Sequence, residues 1–330
     1  MPLALGGWLA LHFLLAVAGT WLARRYALAR RLVDQPGARR SHAVATPRGG
    51  GIAIVLAAFV ALAALAARAP TWVPQLTLIS SGLLATALIG WIDDHRPLSP
   101  WLRLGIHVIA SALLGVAVVA GGGGLWQAGF AFSAALVLVN VWNFMDGIDG
   151  LAASQAMLAA GCLALASGSG LAWWLGWAVA AACAGFLPFN FPRARIFLGD
   201  VGSGALGYLL AVIAAFGFEA TPAQAWILLP LSPFLLDAAL TLWTRMVRGE
   251  RWWTPHVQHL YQRLARGWQG HPSVTVAYAA YLALAAVLMW LVRLRDPTTI
   301  MSAVCGWYLV GAGIWVGSRR YQGMGEGLTE

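Results

Sequence analysis

Two adjacent acids, Asp93 and Asp94, sit in Gly90-Trp-Ile-Asp-Asp-His-Arg96. Neighbouring carboxylates repel, which raises one pKa unless a cation or hydrogen bonds compensate. Such a pair suits metal association or proton abstraction from an acidic nucleophile; the bland alternative is two solvated charges at a helix end. Further along, Asn140-Val-Trp-Asn-Phe-Met-Asp-Gly-Ile-Asp-Gly150 sets Asn140, Asn143, Asp146 and Asp149 at successive three-residue steps. Each neighbouring pair would share a helix face. Gly147 and Gly150 are expected to open the helix end and let backbone approach a ligand. Polar groups near lipid are costly, so packing alone explains these asparagines poorly.

Two glycine-rich stretches each introduce an apolar run: Thr46-Pro-Arg-Gly-Gly-Gly51 and Phe197-Leu-Gly-Asp-Val-Gly-Ser-Gly204. Exposed N–H groups at such helix starts favour phosphate, and Asp200 beside them would hold a divalent cation that bridges phosphates. His42 and several arginines precede the first stretch, and Arg193 and Arg195 precede the second. These basic groups contact phosphate or simply anchor the membrane interface. In Thr254-Pro-His-Val-Gln-His-Leu-Tyr-Gln-Arg-Leu264, the i, i+3 spacing of His256 and His259 fits one face of a short amphipathic helix. No third ligand stands nearby, so a structural zinc site is discounted in favour of hydrogen bonding to a sugar or phosphate. Asp237, near Pro230 and Pro233, reads as an intramembrane acid paired with an arginine such as Arg245.

The elements that must position these residues are membrane spans. Of 330 residues, 60% are hydrophobic and 10% charged, which excludes an ordinary soluble domain. Apolar runs long enough to cross a bilayer as helices fall at about 3–23, 49–68, 75–92, 104–120, 126–144, 153–168, 171–188, 205–220, 224–244, 273–293 and 298–317. The expectation is an all-α polytopic protein with eleven crossings, or ten if one of the two short runs (153–168 and 205–220) does not span. All 21 basic residues are arginine. With the N-terminus outside, in the periplasm, 18 of them face the cytoplasm and Arg68, Arg293 and Arg295 do not, as the positive-inside rule favours. The five polar clusters then share the cytoplasmic face. The net charge of +9 suits anionic lipid headgroups and anionic substrates, and needs no nucleic acid. The first run lacks preceding basic residues and reads as a retained helix rather than a cleaved signal. Cys162, Cys183 and Cys305 lie in apolar runs without ligand spacing, as inert thiols.

Taken in order, these segments resemble the polyprenyl-phosphate N-acetylhexosamine-1-phosphate transferase family (glycosyltransferase family 4). The likeness covers about residues 34–268 of what reads as a single integral-membrane domain spanning 1–330. It implies transfer of N-acetylhexosamine 1-phosphate from a UDP-sugar to undecaprenyl phosphate, with release of UMP and dependence on Mg²⁺, or Mn²⁺ in its place. It implies Asp200 and Asn143 as metal ligands, and Asp93 and Asp94 as the acidic pair that activates or positions the lipid phosphate. Asp146 and Asp149 would line the nucleotide pocket, and Asn140 would bind substrate. Arg48, His42 and Arg193 would contact phosphates, and His256 and His259 the diphosphate or sugar end.

The acidic pair is followed by His95-Arg96-Pro97, and the histidine loop reads His-x-x-His. Both depart from the peptidoglycan-precursor branch and argue against a muramyl-pentapeptide substrate. The loop looks more like that of enzymes that start O-antigen or lipopolysaccharide synthesis at the bacterial inner membrane. N-acetylfucosamine, N-acetylquinovosamine and GlcNAc donors all stay open, as does a homodimer. The reading from a different class is a transporter or flippase of a lipid-linked or nucleotide sugar. Transporters place charges near the midplane and often carry inverted repeats, whereas these acids sit at the span ends.

Overall fold

The computed structural model describes residues 4–35, 45–218, 221–251, 253–254, 256–267 and 270–326. Among them the chain is α-helical apart from one short antiparallel pair. Helix α1 (Leu5–Ala29) leads to strands β1 (Val33–Asp34) and β2 (Thr46–Pro47), registered Val33 to Pro47 and Asp34 to Thr46. Then come α2 (Ile52–Arg68), α3 (Val73–His95), α4 (Pro100–Ala120), α5 (Leu125–Phe144), α6 (Leu151–Ser167), α7 (Gly170–Asn190) and α8 (Asp200–Gly217). Helices α9 (Ser232–Val247), α10 (Leu260–Gly267), α11 (His271–Val292) and α12 (Pro297–Glu326) complete the chain.

Eight helices among the described residues are long and apolar enough to cross a membrane: α1, α3, α4, α5, α7, α8, α11 and α12. Helices α2 and α6 are apolar but shorter, at 17 residues each. The protein is an all-α, multi-pass membrane protein. The run expected at 224–244 is not one helix. A 3-10 segment over Pro222–Leu228 gives way to a turn, and α9 begins only at Ser232. Pro230 lies in that turn and Pro233 at the start of α9, and proline both lacks an N–H and crowds the preceding turn of a helix. The run expected at 205–220 also shifts, because α8 starts at Asp200.

Helix α8 is the hub, packed against α2, α3, α4, α5, α6 and α7. Its side chains are apolar or small all round, and Val201–Ala215 are buried throughout. A helix with no polar face belongs in the interior. Outer helices instead leave large apolar groups exposed, such as Leu14 and Leu22 on α1 and Leu309 on α12, as a lipid-facing surface requires. Lipid is as apolar as leucine, so helices pair by close fit and small residues rather than by hydrophobic expulsion. Gly90 of α3 is such a place: a Cβ there would collide with the Asp200 carbonyl and the Val201 nitrogen at the head of α8.

This contact generates a test. Gly90→Leu should destabilise the folded protein by about 2 kcal/mol or more, through overpacking. Gly105→Leu, at a position with nothing within 4 Å, should leave the thermal midpoint in detergent unchanged. Equal midpoints for the two variants would show that α3 and α8 do not meet closely at Gly90.

Candidate functional site

The polar motifs converge where α3, α5, α7 and α9 end and α2, α4, α6, α8, α10 and α11 begin. At the centre are α3 and α8. Both oxygens of Asp94 accept backbone N–H groups from the first turn of α8, Asp200 and Val201, each at 3.1 Å. Asp94 is 2% exposed. Its charge meets the unsatisfied amides and positive dipole end of the helix, which is where a buried carboxylate is best tolerated. Gly199 makes the approach feasible: its φ is +77°, and a Cβ would lie 2.6 Å from Asp94 Oδ2.

That cap sets Asp200 at the first position of α8, facing α4 and α5. Asn143 Nδ2 donates to Asp200 Oδ1 at 3.0 Å and to Ser203 Oγ at 3.2 Å. The Arg103 guanidinium, on the first turn of α4, donates to Asp200 Oδ2 at 2.9 Å and to Asp93 Oδ2 at 2.7 Å. Asp93 Oδ1 accepts the Leu98 N–H at 2.6 Å. Two carboxylates from different helices therefore close on one guanidinium, with a primary amide alongside. The adjacent acids have separate environments: Asp94 is spent on backbone donors, and Asp93 faces Arg103.

Beside this centre lies a cavity of about 250 Å³ lined by Arg103, His107, Asn140, Asn143, His256 and His259, with aromatic walls at Trp101, Phe144 and Trp253. Asn140 and Asn143 share the inner face of α5 there, as their spacing requires. Helix α5 ends at Phe144, so Asp146 and Asp149 lie on the following loop rather than on the same stripe. That loop is tied down from three sides. Asn190 Oδ1 accepts the Gly150 N–H at 2.9 Å while its Nδ2 donates to the Ile196 carbonyl at 3.0 Å. The Tyr261 hydroxyl donates to the Phe144 carbonyl at 3.1 Å. On α11, Thr275 Oγ1 donates to the Asp149 carbonyl at 2.8 Å, and His271 Nδ1 is 3.4 Å from Asp149 Oδ1.

Several sequence expectations change. At the glycine-rich helix starts, four amides expected to face phosphate are taken within the protein. The N–H groups of Gly50 and Gly51 bond to the carbonyls of Phe197 and Leu198, and those of Asp200 and Val201 bond to Asp94. The two glycine segments hold each other. His256 and His259 are not helical, because α10 begins at Leu260; they lie in the preceding loop with ring centroids 4.8 Å apart. Asp237 does not pair with Arg245, which instead contacts Glu250 at 2.8 Å. Arg48 is half-buried beside Asp94, with its Nε lacking a partner among the described residues. Arg193 is exposed in the loop after α7. His42 lies outside the described residues. Arg103, His107 and Asn190 were not singled out as site residues from sequence. The available signal for Arg103 was a lone cation in the first turn of an otherwise apolar helix, ten residues after Asp93.

Electrostatics separate the remaining groups. Burial, aided by the Asp94 charge, pushes Asp146 up to about 8. Burial, with His259 and Arg245 nearby, pulls His256 down to about 4, so at neutral pH it acts as a neutral hydrogen-bonding ring.

Residues 76–217 match the family described as glycosyl transferase family 4. The probable undecaprenyl-phosphate N-acetylglucosaminyl 1-phosphate transferase of Bacillus subtilis (strain 168) is 29% identical, over 78% of this chain and 77% of that protein. The decaprenyl-phosphate N-acetylglucosaminephosphotransferase of Mycobacterium tuberculosis (strain ATCC 25618 / H37Rv) is 30% identical, over 78% and 76%. A phospho-N-acetylmuramoyl-pentapeptide-transferase of Moorella thermoacetica (strain ATCC 39073 / JCM 9320) is 37% identical over a shorter part, 58% of this chain and 66% of that protein.

The raised Asp146 has a consequence for stability. The folded protein keeps a proton that the unfolded chain gives up near pH 4, so this contribution is present at low pH and disappears as pH rises to about 8. The thermal midpoint of Asp146→Asn should therefore fall less than that of the wild type between about pH 5 and about pH 8. Parallel curves would show that Asp146 titrates normally.

Proposed function

Because the chain belongs to glycosyl transferase family 4, we propose that it transfers an N-acetylhexosamine 1-phosphate from a UDP-sugar to undecaprenyl phosphate. The observation that carries this reading is the convergence of Asp93, Asp200 and Arg103 beside a polar cavity at one end of a helical bundle. An oxygen of the lipid phosphate attacks the β-phosphorus of the donor, and the bond from that phosphorus to the bridging oxygen breaks. UMP leaves with the bridging oxygen, and the sugar's anomeric C–O bond stays intact. Both reactants are anions, so neutralisation and alignment are the physical problem.

The donor set fits a divalent cation. Asp93 Oδ2 and Asp200 Oδ2 meet at one guanidinium, Arg103, at 2.7 and 2.9 Å, and like charges brought together in this way favour a cation. Mg²⁺ characteristically takes one or two carboxylates and completes its shell with phosphates and water. Asp93 and Asp200 would hold Mg²⁺, or Mn²⁺ in its place, with the Asn143 amide alongside. A cation held there would polarise the β-phosphate and stabilise the departing UMP. Arg103 orders the two carboxylates and offers positive charge to phosphates in the cavity it lines. Asp94 acts from beneath, by holding the head of α8, and so positions Asp200. Asp146 and Asp149 stand on the loop that serves the nucleotide, with Asn140 nearby. Arg48 and His42 serve phosphates, Arg193 the entry surface, and His256 and His259 the sugar diphosphate.

The whole chain works as one integral-membrane unit at the bacterial inner membrane, with the site facing the cytoplasm. Arginines cluster at that end of the bundle, which supports the orientation. Relatives named for N-acetylglucosamine phosphate transfer cover more of this chain than the pentapeptide relative does, supporting a simple N-acetylhexosamine. The His-x-x-His loop supports GlcNAc or its 6-deoxy kin, N-acetylfucosamine and N-acetylquinovosamine, at the start of an O-antigen or similar surface glycan.

Purified protein given undecaprenyl phosphate, Mg²⁺ and a panel of UDP-N-acetylhexosamines should release UMP only when the lipid is present. EDTA should stop the release and Mg²⁺ restore it. Asp200→Asn should lower turnover about 100-fold or more, as expected when transition-state charge stabilisation is lost. Release that ignores chelator and substitution would refute the assignment of Asp93 and Asp200. For orientation, single cysteines at Arg96 and Trp253 should react with an impermeant maleimide only from the cytoplasmic side. Labelling from the periplasm would invert the topology.

A further inference from the structure

Asp237 is the most heavily bonded carboxylate in the described protein. It lies on α9, 2% exposed. Its Oδ1 accepts the Leu260 N–H at 2.7 Å, Thr241 Oγ1 at 3.1 Å and Trp315 Nε1 at 3.2 Å. Its Oδ2 accepts the Tyr261 N–H at 3.1 Å and the Tyr278 hydroxyl at 2.8 Å. Donors from four helices thus favour the charged carboxylate, and no arginine pairs with it among the described ion pairs. The cationic partner available is a histidine: His259 Nδ1 stands 3.8 Å from Asp237 Oδ1.

That histidine is oriented by its surroundings. Its ring lies against Phe144 at a 24° interplanar angle and against Tyr261 at 20°, with centroids 6.3 and 5.8 Å away. Nδ1 is buried with no hydrogen-bond partner among the described residues, while the residue lines the cavity with Asn143 and Arg103. Nδ1 faces the carboxylate, which leaves Nε2 as the ring nitrogen for the cavity.

We infer that Asp237 is a positioning residue for His259: it fixes the ring with Nδ1–H towards the carboxylate, favours the imidazolium, and so presents Nε2–H to a phosphate oxygen of the substrate. This rests on reading the cavity as the diphosphate site. A carboxylate near an imidazole selects its tautomer and stabilises its charged form, most strongly where water is excluded. Other titratable and charged groups surround the ring: His256 lies with its ring centroid 4.8 Å away, Tyr261 packs against its face, Arg245 and Glu250 stand beside His256, and Arg319 reaches the Gln258 carbonyl. Helix capping alone does not require a histidine at this place, since the Leu260 and Tyr261 amides already satisfy that role.

The test is a His259 titration by NMR on protein labelled with ¹⁵N-histidine, with His259→Gln identifying the resonance, alongside the pH profile of lipid-dependent UMP release. Asp237→Asn removes the charge and should lower the His259 pKa by about one unit. The basic limb of kcat/KM should move to lower pH by the same amount. Trp315→Phe removes one competing donor from Oδ1 and should move both in the opposite direction, which keeps the test available if Asp237→Asn folds poorly. Tyr278→Phe, which removes a donor from Oδ2, controls for general loosening. An Asp237 that only builds the fold would lower activity equally at every pH and leave the His259 titration where it was; that result overturns the inference. A shifted titration with no UMP release from the wild type keeps the pair and overturns the transferase reading instead.

Discussion

The architecture of the site depends on one contact between helices, the Asp94 carboxylate against the first two amides of α8. A helix start buried in a bundle leaves donors that must be satisfied, and an anion buried beside it needs donors of its own. Each resolves the other's cost. Charge-assisted bonds of this kind contribute roughly 1.5–3 kcal/mol each. The contact requires α3 to reach the head of α8, which Gly90 and Gly199 permit and larger residues would prevent. With α8 anchored there, Asp200 meets Asn143 from α5 and Arg103 from α4. Asp93, one residue before the anchor, necessarily points elsewhere and joins the same guanidinium.

The rest of the polar face is built by similar cross-bracing. Asn190 holds the loop carrying Asp146 and Asp149 to the segment leading into α8. Tyr261 and Thr275 hold it to α10 and α11. Asp237 holds the start of α10, and with it the histidine loop. The loop of Asp146 and Asp149, the acidic centre and the histidine loop thus form one connected scaffold around the cavity. A reaction that brings two anions together benefits from groups whose placement is settled before substrate arrives.

Much of this was legible from the order of residues. The apolar runs locate the helices to within a few residues except at α8, at α9 and at the C-terminal ends of α1 and α12, which run on beyond the apolar stretch, and the motifs mark the ends that converge. Spacing reports which residues share a helix face, and it placed Asn140 and Asn143 together. It does not report which amide meets which acceptor across the bundle. The glycine-rich starts therefore read as phosphate cradles, although four of their amides are taken by Asp94, Phe197 and Leu198. His256 and His259 read as helical because the cap that starts α10 at Leu260 comes from Asp237, 23 residues earlier. Arg103 looked like one of many topology-setting arginines, and only the fold brings it between two acids.

The central claim is that the Asp94 cap organises a cation site to which Asp94 itself gives no ligand. The affinity of the purified protein for Mn²⁺, read by electron paramagnetic resonance, tests it most directly in Asp94→Asn. The account predicts affinity weakened about tenfold or more, since one lost charge-assisted bond displaces Asp200. An Asp94→Asn variant that binds Mn²⁺ as tightly as the wild type would contradict it.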